Sequence, residues 1–488
     1  MATVLAGGTV VNASGSLRAD VRIEGEKVSS IGVNLQGPAD TLIDATGCYL
    51  FPGGIDPHTH FDLSVGATVT ADDFASGTAA AAVGGTTTVI DFATQNKGET
   101  LAEAVANWHA KAKGQSFVDY GFHIAISDMS DSVLGELDSI VERDGVSSVK
   151  LYMAYKGVMQ VDDGALLRTL QVAKQLGILV CVHCENGDVI DVLIKEAKAL
   201  GHRSIKYHAL TRPVAVEREA INRAICLAEV AGARLYVVHV SSGDGLEVIR
   251  EARSRGLKIY GESCPQYFLL DASRYEVDDF SAAKYVMSPP LRSQENQELL
   301  WAGLRDGNLY TVGSDHCSFN FAGQKELGRD DFSRIPNGGP GVENRFGLLY
   351  TYGVIAGKID IHQFVAITST NAAKLFGLYP RKGVIAPGSD ADIVVWDPAA
   401  ESVISATTQR QRVDYNLYEG FAQVGGVRHL FLRGRQIVKE GILKDEPFGC
   451  YLKRERWVTR EVTEDVTKRA TSDATKDITK ESPCSSSR

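Results

Sequence analysis

The middle of the chain alternates short apolar runs of strand length with longer amphipathic segments. Residues 215–231 and 245–255, for example, repeat their apolar positions at helical spacing. Eight such βα units over residues 53–382 predict an α/β fold, a (β/α)8 TIM-type barrel. A doubly wound parallel sheet is the alternative. Such a sheet usually has fewer units, and because it is open it would not bring side chains from strands on all sides to one site. The eight runs end at residues 58–60, 89–92, 123–126, 149–152, 180–183, 236–239, 259–262 and 310–315.

The two ends of the chain show a different pattern, in which short runs with β-strand composition are separated by turns. Residues 1–52 contain such runs at 9–11, 21–23 and 28–31, and Gly25-Glu26 has the composition of a hairpin turn. The same pattern resumes in residues 383–458, which predicts one small β-sandwich domain formed by both chain ends. Residues 459–488 are polar and without apolar periodicity, as expected of a tail that is flexible or lies at a subunit interface.

Residues suited to metal binding or proton transfer lie at the ends of five of the eight apolar runs. In a barrel, the ends of successive strands converge on one site, so this repeated placement indicates a metal-dependent hydrolase. A single histidine after one strand would carry little weight. The residues are His58, His60, Lys150, His183, His239 and Asp315.

The four histidines of this set form two pairs. His58 and His60 alternate along one strand, so both imidazoles can reach the same cation, although His-x-His alone is a weak signal. His183 and His239 each end an apolar run, and either one alone would more often be a hydrogen-bonded core histidine. Together they provide imidazoles for a second metal. His123 ends another run without a matching motif, and we interpret it as structural.

Lys150 interrupts an otherwise apolar strand. Burial disfavours an ammonium, so the pKa of a buried lysine falls, and its neutral amine can add carbon dioxide to form a carbamate. Such a carboxylate on a long arm could bridge two divalent cations. The alternative is a snorkelling or salt-bridged lysine. Asp315 likewise has two interpretations, a metal ligand that also moves a proton or a helix N-cap.

Composition narrows the possible partners and the compartment. The net charge of −10 does not indicate a basic surface that would bind nucleic acid or an anionic membrane. No apolar run has transmembrane length. The first residues lack the features of a signal peptide. Cys181 and Cys184 could form a thiolate site, but no second cysteine pair completes a tetrahedron. Free thiols in a reducing, cytoplasmic protein are the expectation.

Taken together, these motifs resemble the cyclic amidohydrolases, the dihydropyrimidinase and D-hydantoinase family. The resemblance extends over nearly the whole chain up to about residue 460. Its individual motifs are short, but jointly they are highly specific. The matching stretches are residues 51–60, 70–74, 84–87, 150–156, 183–187, 239–241, 262–267, 287–292, 313–316 and 335–338.

The resemblance implies a centre with two divalent metals that share Lys150 as an N6-carboxylysine. Imidazole and carboxylate ligands suit zinc best, with manganese or cobalt possible. The ligands of one metal would be His58, His60, carboxylated Lys150 and Asp315, and those of the other would be carboxylated Lys150, His183 and His239.

The resemblance also implies roles around the substrate. Tyr155 matches a tyrosine that stabilises the oxyanion, and Asp315 would carry the proton. Ser288 and Asn337 match residues that hold the cyclic amide and imide through backbone groups. The residues expected to contact the substituent on the ring are Leu63, Val65, Tyr152 and Met159.

The implied activity is hydrolysis of the cyclic amide bond in 5,6-dihydropyrimidines and 5-monosubstituted hydantoins, giving N-carbamoyl amino acids. A dihydroorotase typically has an arginine shortly after His-x-His, where this chain has Phe61-Asp62. Allantoinase remains an alternative, although its polar substrate would favour more polar residues than Leu63 or Val65. A non-catalytic scaffold relative would lack the metal ligands, and this chain keeps all six. The family resemblance also suggests a homotetramer.

Overall fold

A computed structural model describes residues 2–277, 279–444 and 446–457. Its centre is a ring of eight parallel strands, each hydrogen-bonded to the next along the chain. The ring closes where Thr59 pairs with His316 and the His60 amide donates to the His316 carbonyl at 2.9 Å. The strands are Gly54–Thr59, Thr86–Thr94, Asp119–Ala125, Ser148–Tyr152, Leu179–His183, Leu235–Val237, Ile259–Ser263 and Leu309–Val312.

This ring confirms the predicted (β/α)8 barrel. The strands are almost fully buried, as expected when helices cover a parallel sheet from outside and side chains fill its interior. One detail of the prediction was wrong, because His60, His239 and Asp315 lie one to three residues beyond their strands rather than within them. The backbone has left strand geometry there, with φ of +40° at His239 and +52° at Asp315.

Helices connect and surround the strands. Side-chain caps begin several of them, including Asn186, which accepts a hydrogen bond from the Val189 amide directly after the strand that ends at His183. The predicted helices at 215–231 and 245–255 are present to within two residues. The α-helices are Phe74–Val83, Leu101–Ala112, Asp131–Asp144, Asp163–Leu176, Gly187–Ala199, Lys206–Leu210, Val214–Ala231, Gly243–Ser254, Pro265–Leu269, Glu295–Arg305, Arg345–Leu349, Ile361–Val365 and Asn371–Leu375. Shorter 3-10 and π segments are Ala272–Tyr275, Phe280–Tyr285, Lys325–Gly328, Phe332–Arg334, Tyr350–Ile355 and Ala366–Thr370.

Both chain ends build a small β-sandwich, as the sequence predicts. One sheet has four strands and the other has seven, and they share a core that includes Val21, Leu50 and Phe431. The predicted hairpin is also present, because strands on either side of Gly25-Glu26 pair in antiparallel fashion. The strands of the four-stranded sheet are, in order, Lys27–Gly32, Asp20–Glu24, Thr3–Ala6 and Thr41–Asp44. Those of the seven-stranded sheet are, in order, Ile442–Leu443, Arg435–Lys439, Ala422–Leu432, Ile393–Val403, Tyr49–Pro52, Thr9–Asn12 and Gly15–Arg18.

Domain boundaries at 52/53 and 382/383 remain our proposal. A further two-stranded hairpin, Ser64–Val65 with Thr68–Val69, projects after the first barrel strand. The predicted tail, residues 459–488, lies outside the described residues. Within the described ranges, no helix is both long and apolar enough to cross a bilayer.

A buried ion network joins the barrel to the sandwich. Lys382 Nζ lies 2.8 Å from Asp119 Oδ2 at the start of the third barrel strand, and it also contacts Asp392 beside a sandwich strand. Arg433 adds a second cation, with Nε 3.2 Å from Asp119 Oδ2. Because all these carboxylates are buried, each depends on its cation for compensation.

Replacing Lys382 with methionine should therefore destabilise the protein strongly. Removing one partner of a buried ion pair leaves an uncompensated charge, at a cost of about 3–5 kcal/mol. Thermal unfolding followed by circular dichroism should show a clear fall in Tm. The matched control is Lys358→Met, which removes a surface pair with Glu298 and should change stability by about 1 kcal/mol or less. Equal effects of the two substitutions would contradict the role assigned to this network.

Candidate metal centre

The proposed ligands meet at the carboxyl ends of the barrel strands. His58, Lys150 and His183 lie within strands, and the pairing register sets Tyr152 beside His183 and Lys150 beside Cys181. His60, His239 and Asp315 follow their strands at the same edge. This is the edge at which TIM barrels carry their sites.

His58, His60 and Asp315 form one compact group. Asp315 Oδ1 lies 3.1 Å from His58 Nε2 and 3.4 Å from His60 Nε2, and one ligand atom from each residue falls within 4.8 Å of the others. Burial would raise the pKa of Asp315, but the neighbouring His58 and His60 outweigh that effect and lower it. In the described part of the chain, His58 Nε2 has no hydrogen-bond partner. A buried, unpartnered nitrogen beside an ionised carboxylate fits a cation.

His183 and His239 form the second group. His183 Nδ1 and His239 Nε2 face each other at 3.0 Å, and Glu185 Oε2 lies 3.0 Å from the other ring nitrogen of His183. Two nitrogens on one tetrahedral zinc would be about 3.3 Å apart, given Zn–N bonds of about 2.0–2.1 Å. Burial also lowers the pKa of His239 well below its usual value, which favours the neutral imidazole that a metal requires.

Lys150 lies on the barrel strand Ser148–Tyr152, at the same edge as the two groups, and is buried, with 1% of its surface exposed. Its Nζ is 5.0 Å from the centre of the Phe92 ring and 5.1 Å from that of Tyr152. No salt bridge joins it to a carboxylate among the residues that the structure describes. Burial therefore lowers its pKa. These surroundings disfavour the snorkelling and salt-bridged alternatives and favour a neutral amine.

Glu262 is a buried acidic residue in contact with the proposed ligands, and the sequence pattern suggested no role for it. It ends the seventh apolar run and is fully buried, and burial raises its pKa to about 7. Glu262 Oε1 lies 2.6 Å from His58 Nδ1 and accepts a hydrogen bond from the His239 amide at 3.2 Å, while the Tyr236 hydroxyl donates to Oε2. With Nδ1 engaged, His58 directs Nε2 toward Asp315. A carboxylate that orients a ligand imidazole is a recurrent feature of metal sites. The signal was available, since an acidic residue closing an apolar strand is as unusual as Lys150.

Left-handed backbone occurs at three of the proposed site residues. Tyr155, His239 and Asp315 have φ of +67°, +40° and +52°. Non-glycine residues rarely adopt this region, and such strain persists only where the surrounding structure enforces it. These conformations turn the chain away from each strand end. The sequence gives little signal for them, because none of the three residues is a glycine.

The predicted substrate residues fall into two groups. Asn337 Nδ2 donates to Ser288 Oγ at 3.0 Å, which links the two residues expected to hold the ring. Burial raises the pKa of Tyr155, so its phenol stays protonated at neutral pH. Tyr152 lies in a small apolar cluster with Phe92 and Ala125, and Tyr155 and Met159 pack against it.

The remaining predicted residues are less central. Leu63 packs against the main core rather than this cluster, and Val65 lies half-buried on the hairpin 64–69, so their contact with a substituent stays a prediction. His123 uses both ring nitrogens, toward Pro57 O and Ser148 Oγ, which supports a structural role. All seven cysteines in the described ranges are free.

The chain belongs to the amidohydrolase family, whose sequence profile matches residues 49–437. A protein named D-hydantoinase from Geobacillus stearothermophilus is 53% identical over 94% of this chain and 97% of its own length. Another D-hydantoinase, from Streptomyces coelicolor, is 49% identical over 90% and 94% of the two chains. The crystal structure of a dihydropyrimidinase from Brevibacillus agri superimposes with a TM-score of 0.93 at 53% identity, covering 94% of this chain and all of that one.

Replacing Glu262 with glutamine should weaken metal binding while leaving the fold intact. The amide keeps the shape of the side chain but loses the charge that strengthens His58 as a ligand, and such changes typically cost about 10–100-fold in metal affinity. Competition with a chelator, followed by metal analysis, measures the affinity. Glu298→Gln, at an exposed carboxylate, is the control. Unchanged affinity in Glu262→Gln would show that Glu262 does not support the centre.

Proposed function

We propose that this protein hydrolyses the cyclic amide bond of 5-monosubstituted hydantoins and 5,6-dihydropyrimidines, giving N-carbamoyl amino acids. The observation that carries the proposal is the pair of ligand groups at the barrel edge where buried Lys150 also lies, in a chain 53% identical to a D-hydantoinase. The names of its relatives favour hydantoins of D configuration. Relatives also include a dihydropyrimidinase, so dihydropyrimidines are the second substrate class.

Two divalent cations complete the proposed centre, and zinc is the metal that best suits the ligands. His58, His60 and Asp315 would hold one cation, and His183 and His239 the other. Lys150, carboxylated on Nζ, would bind both. When bound, the cations supply Lewis acidity that lowers the pKa of water and polarises the ring carbonyl. The His58 nitrogen without a hydrogen-bond partner and the burial of the Lys150 amine without a salt bridge in the described residues support this assignment.

The protein's own residues supply positioning and proton transfer. The Tyr155 phenol, kept protonated by burial, donates a hydrogen bond to the oxyanion that develops as water attacks the ring carbonyl. Asp315 is ionised, so it can take the proton from the attacking water and deliver it to the leaving ring nitrogen. Backbone groups of Ser288 and Asn337 hold the amide and imide of the ring. Tyr152 and Met159 offer an apolar wall to the substituent, with Leu63 and Val65 at the entrance.

The residues next to the ring distinguish the proposed activity from those of allantoinase and dihydroorotase. An apolar surface beside the ring favours alkyl or aryl substituents over the polar substituent of allantoin. Asp62, which follows Phe61 after the His-x-His pair, would repel the carboxylate of dihydroorotate. We further propose that the active form is a cytoplasmic homotetramer.

Ring opening should be detectable directly in zinc-loaded protein. We expect turnover of 5-phenylhydantoin, with the D enantiomer faster, and slower turnover of dihydrouracil. The reason is that a large apolar substituent would bind against the apolar wall, and dihydrouracil has none. Chiral chromatography of the N-carbamoyl product measures both rates. Preference for dihydrouracil would make the protein a dihydropyrimidinase with a gate for small substituents. Turnover of neither compound, with both metals bound, would refute the proposed function.

Lys150→Ala should remove both metals, because each loses a shared ligand. Metal analysis of the purified variant should give far less than the two ions per chain expected of the native protein, and activity should fall with the metal content. Lys195→Ala changes an exposed lysine that pairs with Asp191, and it should keep both metals and full activity. A Lys150→Ala protein with two metals per chain and native activity would exclude the bridging role.

A further inference from the structure

Lys325 is a second fully buried lysine, outside the metal centre. It begins the 3-10 turn Lys325–Gly328, and none of its surface is exposed. Its Nζ donates three hydrogen bonds to backbone carbonyls, to Val286 at 2.9 Å, Pro336 at 2.7 Å and Gly338 at 2.6 Å. In its protonated form, which has three N–H donors, Lys325 therefore ties together two segments that are about 50 residues apart in the chain.

No carboxylate pairs with Lys325 in the described ranges. Burial without a counter-ion lowers its pKa to about 7. An uncompensated buried cation is costly, and apolar residues of similar volume often replace buried ionic groups without loss of stability. Stability alone therefore does not explain a lysine here. What Lys325 supplies is a three-way link among carbonyl groups that no apolar side chain can make.

The two linked segments are those that carry the proposed ring-binding residues. Val286 is two residues before Ser288, while Pro336 and Gly338 flank Asn337 on both sides. Two further bonds join the segments directly, from the Gly338 amide to the Val286 carbonyl at 3.0 Å and from Asn337 Nδ2 to Ser288 Oγ at 3.0 Å. Lys325 thus binds the backbone of the same two segments that carry Ser288 and Asn337.

Gly338 relates this link to the metal centre. Its φ is +137°, and a Cβ atom there would lie 2.3 Å from the carbonyl oxygen of Cys317, two residues after Asp315. The segment 336–338 is therefore packed directly against the chain that leaves Asp315. Any movement of this segment would change the distance between the ring-binding groups and the residue that transfers the proton.

We propose that Lys325 is a positioning residue that clamps segments 286–288 and 336–338, so that the backbone groups of Ser288 and Asn337 hold the cyclic amide in register with Asp315. The inference rests on the proposed function for the identity of the substrate. Lys325 acts through the two segments and on the part of the ring that all hydantoins share. Its loss should weaken binding of different hydantoins by the same factor, whereas changes at the apolar wall should discriminate among them.

The test compares zinc-loaded wild type with Lys325→Met, which keeps a similar length and loses the three donors. Hydrogen–deuterium exchange should become faster in peptides covering residues 286–290 and 335–339, and not in the barrel strands. KM for 5-methylhydantoin and 5-phenylhydantoin should rise by a common factor of about ten, the size expected for one impaired hydrogen bond, with a smaller change in kcat. Metal content should stay at the wild-type value.

Two controls separate positioning from a general structural effect. Arg329→Met removes an exposed cation from the same segment and should change neither exchange nor KM. Met159→Ala, at the apolar wall, should change the ratio of the two KM values, which Lys325→Met should leave constant. If exchange in both segments is unchanged in Lys325→Met, or if exchange rises while both KM values stay at wild-type levels, the clamp is refuted. If wild type opens neither hydantoin, the proposed function fails, and the exchange measurement still decides whether the clamp exists.

Discussion

Burial of the Lys150 amine at the end of the barrel is the constraint on which the rest of the site depends. An ammonium there would be unfavourable, because Lys150 is fully buried and forms no salt bridge with a carboxylate among the described residues. Deprotonation removes that cost and makes the amine a nucleophile for carbon dioxide. The resulting carboxylate would be as poorly compensated as the ammonium unless cations bound it, and the two histidine groups supply the ligands for such cations. Carbamate and metals would therefore stabilise each other.

The geometry around this lysine is set by buried acidic and basic groups that would not contact the substrate. Glu262 and Glu185 fix the rings of His58 and His183, so each imidazole presents a defined nitrogen to the centre. In our proposal, Lys325 likewise positions the two segments that hold the substrate ring. The barrel makes this possible because strand ends from five different units meet at one edge, while the left-handed residues beyond those strands aim side chains inward.

Much of this arrangement could be predicted from the sequence, for physical reasons. The period of apolar positions specified eight strands, and polar residues that interrupt or end those runs, such as Lys150 and His183, stood out because burial penalises them. Other features gave weaker signals. Glu262 had the same signal and begins a stretch that matches the family, but nothing in the pattern assigned it a role. Lys325 lies in an irregular segment where no periodicity marks it as buried. The backbone at Tyr155 and His239 depends on tertiary contacts, so local sequence could not reveal its left-handed conformation. Strand ends were also placed too late at His239 and Asp315 for the same reason.

A crystal structure of the zinc-loaded protein, with anomalous differences measured at the zinc edge, tests the shared metal centre most directly. We expect two anomalous peaks in each chain, one beside His58, His60 and Asp315 and one beside His183 and His239, with density for a carboxylate on Lys150 Nζ between them. A single peak at the first group, together with an unmodified Lys150 amine, would contradict a binuclear centre bridged by this lysine.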